Sequence, residues 1–358
     1  MIQKAINQTF FDAILMADSE RVHSQMLAWI LNLPEQQFPF NEKATLLQKL
    51  FLFEKPLVIN SIQVFTEINH IDIQIELDQH ILIIENKLKS SEHSNQTIKY
   101  IETVSREYNN SGKTLKFAFI TLIGEEPKNN NWNVISFENL FKALDNINWN
   151  DKNRESLFIK EYIQTLNNLV VSFKTFVENH QDFDSVFNDG YKSKHNKVQH
   201  QDTIKEYIRV NQLETIFKKA LLKEVSLLAN LKQYYIAETR GTALIQIFVD
   251  CIIFENKEYH LGLQFQGTCL KINLILQTKT KSKIPDVLKD YFGNTFSKKN
   301  EYNRFNRNNS NPYISVSKNL QRQLYEMNKI EIAEVLKKEL DFIKSNLDSF
   351  KSQLIKQI

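Results

Sequence analysis

The sequence has little of what marks a membrane-bound, secreted or zinc-holding chain. No apolar run approaches the ~20 residues needed to span a bilayer, and the opening MIQKAINQTFFDAILMADSE lacks the basic start and cleavage site of a secretory signal. Both point to the cytoplasm. Only two cysteines occur, Cys251 and Cys269, each in apolar, strand-like surroundings with no His or Cys at zinc-binding spacing. They read as reduced core residues, with a disulfide between adjacent strands as the open alternative. His70, His80, His93, His195 and His200 likewise form no spacing that compels a metal site. Glycine is scarce while Asn, Lys, Ile and Phe are common, which reflects base composition rather than activity. The net charge of +3 is too small to imply a polyanionic partner by itself, so the local distribution of charge must carry that argument.

What is present is enough apolar residue, 42% of 358, to bury a sizeable core, and the length favours two domains over one. The most informative stretch is EINHIDIQIELDQHILIIENKLKSSEHSNQTIKY, from Glu67 to Tyr100. Ile71, Ile73, Ile75 and Leu77 alternate with Asp72, Gln74 and Glu76, the period of a half-buried strand. The apolar run Ile81 to Ile84 then ends in Glu85-Asn86-Lys87. A tight reversal at Asp78-Gln79 makes these two strands a hairpin. If the reversal is symmetric, Asp72 lies opposite Glu85, and Lys87 leaves the same face as Glu85. Like charges set opposite each other need neutralising, and a hard divalent cation supplies that.

An acidic residue on one strand followed by Glu-x-Lys on the next resembles the PD-(D/E)XK nuclease superfamily. The likeness extends outward. Ser19-Glu20-Arg21-Val22-His23-Ser24 resembles the acidic opening helix of a bacterial branch, Glu67 stands where a further Glu precedes the Asp strand, and Gln96 and Tyr100 stand where Gln-x-x-x-Tyr follows the Lys. Ile71, rather than Pro, precedes Asp72. The resemblance implies an α/β fold with a restriction-endonuclease-like αβββαβ core on a mixed sheet, and Mg²⁺, with Mn²⁺ as a substitute, as cofactor. It implies catalytic roles for Asp72, Glu85, Lys87 and Gln96. The metal would be held by Asp72, Glu85, the Asn86 carbonyl and Glu20, with supporting roles for Glu67, His23 and Tyr100. The activity implied is phosphodiester hydrolysis by a DNA endonuclease, DNA being preferred to RNA, in a prokaryotic defence setting. A nuclease fold without turnover, acting as a nucleic-acid-binding or protein-interaction module, is the alternative.

Elsewhere the periodicities predict helices near Ile6–Met16, from Ser19 to Asn32 and over Ala44–Phe53, then a first strand over Leu57–Glu67. After the hairpin come a helix near Glu92–Tyr108, strands at Lys116–Ile123 and Asn133–Ser136, a helix from Phe137, and a long helix over residues 151–179. This order gives the αβββαβ core independently of any resemblance. A nuclease-like domain is expected over 1–180, a polar linker over 181–200, and a C-terminal α+β domain over 201–358. That domain is expected to open with a helix from Asp202 to Leu231, continue as an antiparallel meander of four strands between Tyr234 and Gln277, and close with helices near Ile284–Phe292 and Lys329–Leu354. Its expected role is substrate choice, regulation, or association with a second copy or partner protein.

Lys298, Lys299, Arg304 and Arg307, among interleaved Tyr and Phe, form a candidate nucleic-acid surface. The rival reading is a solvated loop whose aromatics anchor the core, and it is slightly preferred because Asp286, Asp290 and Glu301 dilute the charge. The hairpin acids have rivals too. Asp72 and Glu85 read alternatively as edge charges paired with Lys87, Glu20 as a favourable first-turn charge, His23 as a packing residue, and Gln96 and Tyr100 as solvent-facing positions.

Overall fold

The computed structural model describes residues 5–90, 92, 95–149, 153–184, 201–239, 241–277, 283–297, 302–306 and 312–355. The chain forms two compact units, one comprising Met1–Glu178 with Asn196–Leu213 and the other Asn179–His195 with Glu214–Ile358.

In the first unit, Thr9 and Asp12 close a capping box on a single helical turn, α1 (Phe10–Ala13). It is shorter than expected because Leu15, at φ +57°, turns the chain away. α2 (Glu20–Asn32) starts at the Ser19 cap and buries His23, Ser24, Leu27, Ala28, Ile30 and Leu31, a stripe at helical spacing. Pro34 ends it by forcing Leu33 into extended backbone, ψ 143°. α3 (Phe40–Phe51) stops at Leu52 in the left-handed region.

Five strands follow the order β1-β2-β3-β4-β5: β1 (Ile62–Ile68), β2 (Ile71–Leu77), β3 (His80–Lys87), β4 (Thr114–Thr121) and β5 (Trp132–Ser136). The first three pair antiparallel and the last three parallel, so the sheet is mixed. Asn69 and His70 both sit at positive φ, the two-residue hairpin geometry whose twist suits β1 and β2. At the next reversal, Asp78 accepts hydrogen bonds from the Asn60 N–H at 2.9 Å and the Ser61 hydroxyl at 2.7 Å, which fixes the turn.

Helices cover both faces of this sheet, as buried parallel strands require. α2 lies along β1 to β3, while α3 and α5 (Phe137–Asp145) lie on β4 and β5. On the other face, Tyr100 and Val104 of α4 (Gln96–Glu107) meet Ile81, Ile83, Phe117 and Phe119. α6 (Arg154–Glu178) packs against α5.

Residues 201–213 belong with this first unit rather than with the second half to which sequence alone assigned them. The Ile6 N–H donates to the Asp202 carbonyl at 3.1 Å, and Gln201 Nε2 donates to the Asp12 carbonyl at 3.1 Å. Tyr207 of α7 (Ile204–Val210) is fully buried. The single helix expected to Leu231 is two, broken at Gln212 with φ +51°, and its second part is α8 (Glu214–Leu228).

The second unit is α+β. Its antiparallel sheet runs β10-β11-β9-β8-β7-β6, from β6 (Tyr234–Thr239), β7 (Thr242–Phe254), β8 (Lys257–Gln266), β9 (Cys269–Leu276), β10 (Arg304–Asn306) and β11 (Tyr313–Asn319). The meander is the one the turn signals indicate, and the structure adds β10 and β11 to it. Leu261, Leu263, Ile272 and Leu274 share a core with α8, α9 (Asp286–Phe296) and α10 (Lys329–Ile355). Both cysteines are free, Cys251 exposed and Cys269 partly so, against the expectation of core residues. A bulge between Phe248 and Asp250 explains Cys251: it changes the phase of β7, so that Ile252 and Phe254 point inward and Cys251 outward.

Candidate active site

The β2–β3 register, with Ile73 opposite Ile84 and Glu76 opposite Ile81, places Asp72 level with Glu85 at its next step. Odd-numbered residues of β3 face α4, as Ile81 and Ile83 show, so Glu85 and Lys87 lie beneath that helix. The even-numbered Asn86 faces α2 instead, where its amide donates to the Glu20 carbonyl at 3.2 Å. Its backbone N–H donates to Asp72 Oδ2 at 2.7 Å, locking the Asp72 carboxylate against β3.

Glu85 is 1% exposed, and its Oε1 meets Lys87 Nζ at 2.6 Å. Its Oε2 is buried with no hydrogen-bond partner, an acceptor left open where a lost partner costs about 1–3 kcal/mol. Burial, followed by the Asp72 charge, pushes the Glu85 carboxyl up to about 8 against the pull of Lys87. Burial likewise pushes Asp72 up to about 6, opposed by the Asn86 N–H and Lys87. For Lys87, burial disfavours the ammonium, but the Glu85 charge more than compensates and holds it above the ordinary lysine value. Lys87 is thus a cation at neutral pH, and its hold on the proton tightens further once the Glu85 proton leaves.

Gln96 opens α4 and donates from Nε2 to Tyr100 Oη at 3.0 Å; the Tyr100 hydroxyl donates to the His70 carbonyl at 2.5 Å. Gln96 Oε1 is a second buried acceptor without a donor. Burial, then the charges of Glu85 and Asp72, push the Tyr100 phenol up to about 12, so it stays protonated. These two side chains are thus placed over the acidic strands, not in solvent.

Glu20 reaches past the end of β3. Its Oε1 accepts the backbone N–H groups of Leu88, Lys89 and Ser90 at 2.8, 2.8 and 2.9 Å, and the Ser90 hydroxyl donates to Oε2 at 2.9 Å. Burial raises this carboxyl, yet those donors win and hold it below the usual range. Three N–H groups on one oxygen make Glu20 chiefly the pin between α2 and the exit of β3, with Oε2 the more open atom. Sequence reading missed these donors because they are backbone atoms, and it missed the ion pair of Lys89 with Asp18 beside them.

Glu67 stands level with Asp72 on β1, between the pairs Thr66–Ile73 and Ile68–Ile71, but its φ of +59° takes it out of the ladder. Such a conformation is strained for a residue with a side chain, by about 1–3 kcal/mol, and strain of this kind concentrates at functional sites. Glu67, Asp72 and Glu85 form an acidic row across three strands. Arg21 comes within 3.9 Å of Glu67 in an exposed pair. His23 does not join this row. Its Nε2 donates to the Ala17 carbonyl at 2.9 Å, so its Nδ1 is left to accept from Tyr162 at 3.3 Å. Burial drops it to about 4, which makes it a neutral packing residue.

Arg304 is exposed on β10, while Lys298, Lys299 and Arg307 lie outside the described residues. Phe292, Phe296 and Tyr302 are fully buried, and the Tyr302 hydroxyl donates to Glu339 at 2.7 Å. These aromatics anchor a core, so the stacking half of the nucleic-acid reading does not hold for them.

A mixed sheet whose central hairpin gathers a buried glutamate, a half-buried aspartate and a lysine beneath a Gln-x-x-x-Tyr helix is the arrangement of a phosphodiester-cleaving class of folds. A family model described as the PD-(D/E)XK nuclease superfamily matches residues 8–209, and the chain belongs to that superfamily. The match runs through α7, the helix that packs in the first unit. No curated protein and no solved structure matches the chain. Nucleases of this superfamily generally use divalent metal ions, and the donor set fits one: hard carboxylate oxygens, one of them buried and unpartnered.

Proposed function

We propose that the chain is a Mg²⁺-dependent phosphodiesterase acting on DNA as an endonuclease, in a cytoplasmic, prokaryotic defence setting. The observation that carries the reading is the Glu85 side chain, which is buried, paired through one oxygen with Lys87 and open at the other. A buried carboxyl in that state keeps its proton in the absence of an ion, and a divalent cation would take the proton's place. Asp72, Glu85 and the Asn86 carbonyl would hold the ion, with Glu20 Oε2 as a further donor. When bound, the ion supplies an acidified water and neutralises phosphate charge.

The chain's own residues do the rest. Lys87, held protonated by Glu85, orients the attacking water and offsets the negative charge that develops on the phosphate. The Asn86 N–H fixes which Asp72 oxygen is left for the ion. Glu20 ties β3 to α2, so the Glu-x-Lys strand end cannot fray. Gln96, held by Tyr100, presents its amide to phosphate or to Lys87. Glu67 and Arg21 border the acidic row, where Glu67 adds negative charge and Arg21 a cation for the backbone of the substrate.

The second unit selects the substrate, regulates cleavage, or joins a second copy or partner protein. Arg304, with Lys298, Lys299 and Arg307, contributes nucleic-acid affinity through phosphate contacts. Among the described residues no helix is long and apolar enough to cross a membrane.

The experiment is a substrate panel of supercoiled and linear plasmid, single-stranded DNA and RNA in Mg²⁺ or Mn²⁺, run beside Asp72→Ala and Lys87→Ala. Cleavage of duplex DNA by the parent chain alone supports the reading. Equal cleavage by both variants removes the site assignment, and binding without cleavage by the parent leaves the inactive module as the answer.

A further inference from the structure

A second and chemically different group of donors lies on the β7–β8 hairpin. Cys251 and His260 are directly opposite each other in the ladder, and Glu258 precedes His260 by two residues on the same face. The Cys251 sulfur, a Glu258 oxygen and a His260 ring nitrogen all lie within 4.8 Å of one another. We propose that these three side chains form a binding site for a borderline transition-metal ion of the Zn²⁺ type, distinct from the hard-ion site of the nuclease sheet.

Donor chemistry sets the class of ion. Thiolate and imidazole are too soft to favour Mg²⁺ or Ca²⁺ and suit Zn²⁺ or Co²⁺. Zinc bonds of ~2.0–2.3 Å in a tetrahedron separate donors by roughly 3.3–3.7 Å, a small closing movement from the observed spread. Three protein donors leave a fourth position for water.

The neighbouring contacts hold the donors ready. Glu258 accepts from the His260 ring, Nε2 to Oε1 at 2.9 Å, and from the Cys251 thiol. Two protons therefore point at one carboxylate where a single dication would fit. The Phe248 ring stands edge-on to His260, with centroids 5.4 Å apart, and limits its rotation. Asp250 is already engaged, accepting from the Cys251 N–H at 2.7 Å and pairing with Lys351 at 2.6 Å. It adds negative potential without competing for the ion. On binding, Cys251 loses its thiol proton to solvent, and His260 binds as the neutral ring, with its proton on the nitrogen turned away from the ion. The charges of thiolate and carboxylate then balance the dication.

Sequence spacing hides this site because Cys251 lies seven and nine residues before Glu258 and His260, across a turn at Glu255-Asn256, and only the post-bulge register of β7 turns Cys251 outward.

The test is titration of the full chain with Co²⁺ under a phosphine reductant and excess Mg²⁺, followed by thiolate-to-cobalt charge-transfer absorption and then by displacement with Zn²⁺. The parent chain and Cys269→Ser should show the band at one ion per site, with Zn²⁺ removing it. Cys251→Ser should abolish the band, and His260→Ala should weaken binding by at least the ~10–100-fold that loss of even a supporting partner costs. Both variants alter solvent-accessible positions, and circular dichroism confirms their folding. No band in the parent, or an equal band in folded Cys251→Ser, overturns the proposal.

Discussion

Each of the two sheets buries a polar pair, and the two pairs are opposites. In the second sheet, Gln246 of β7 and Asn273 of β9 exchange hydrogen bonds, Gln246 Nε2 to Asn273 Oδ1 at 3.1 Å and Asn273 Nδ2 to Gln246 Oε1 at 2.8 Å. They close over Gly262 of β8, where an added Cβ would meet the Ile247 carbonyl at 2.4 Å and Gln246 Nε2 at 2.5 Å. Nothing in that pair is left over. In the first sheet, Glu85 and Lys87 pair once, and Glu85 Oε2 stays unpartnered beside Asp72. A closed buried pair specifies a core, whereas an open one needs a visitor. An open buried atom alone does not mark chemistry, since the Tyr259 hydroxyl of β8 is another; what sets Glu85 apart is that its open atom is a carboxyl oxygen level with a second acid, Asp72.

The sharpest way to break the comparison is to swap the consequences of mutation between the two sheets. Asp72→Asn should lower nuclease turnover by about 10³-fold or more while leaving the melting temperature near the parent's, because charged-group losses at metal and oxyanion sites act on the transition state. Turnover and melting curves measured side by side check this. Lys87→Met should cost about 10²–10³-fold in kcat, with a smaller effect on metal affinity. A variant with unchanged kcat would reduce Lys87 to a counter-ion of Glu85.

Next in size is a pH effect confined to the first sheet. Asp72 and Glu85 hold protons to about 6 and about 8 in the metal-free chain, above their ordinary values. The native state therefore binds more protons than the unfolded chain, and metal-free stability should fall as pH rises through this window. Ion affinity should move the other way, rising about tenfold per unit of pH between 6 and 8 as those protons leave. Calorimetry across that range reads the slope, and Asp72→Asn should flatten it.

The smallest effects belong to the second sheet. Asn273→Leu leaves Gln246 buried without its partner and should destabilise by about 1–3 kcal/mol, and Gly262→Ala should cost about 1–3 kcal/mol through overpacking. Neither should change the metal dependence of cleavage. Denaturant unfolding of the full chain measures both.

The hairpin was legible in sequence because its signals are local. The alternation from Ile71 to Leu77, the turn at Asp78-Gln79 and the apolar run before Glu85 set the register, and the register carries Asp72 to Glu85. The same reasoning failed where a backbone departure resets the pattern. Leu15 at φ +57° cut the first helix short, Gln212 at φ +51° split another, and the bulge before Asp250 turned Cys251 from core to surface. The sequence marks Glu20 as a candidate but not as the acceptor of three N–H groups, since backbone donors leave no trace in composition. Sequence alone puts residues 201–213 with the second half because their ties to Ala5, Ile6 and Asp12 span nearly the whole first unit in sequence.

The most direct test of the open acidic row is calorimetric titration of Mn²⁺ into the full chain near neutral pH, in two buffers of different ionisation enthalpy, with Asp72→Asn as the companion. The parent should bind the ion and release protons, and the variant should lose most of both signals while remaining folded. Equal binding and equal proton release by parent and variant would contradict the assignment of Asp72 and Glu85 as the ion's ligands.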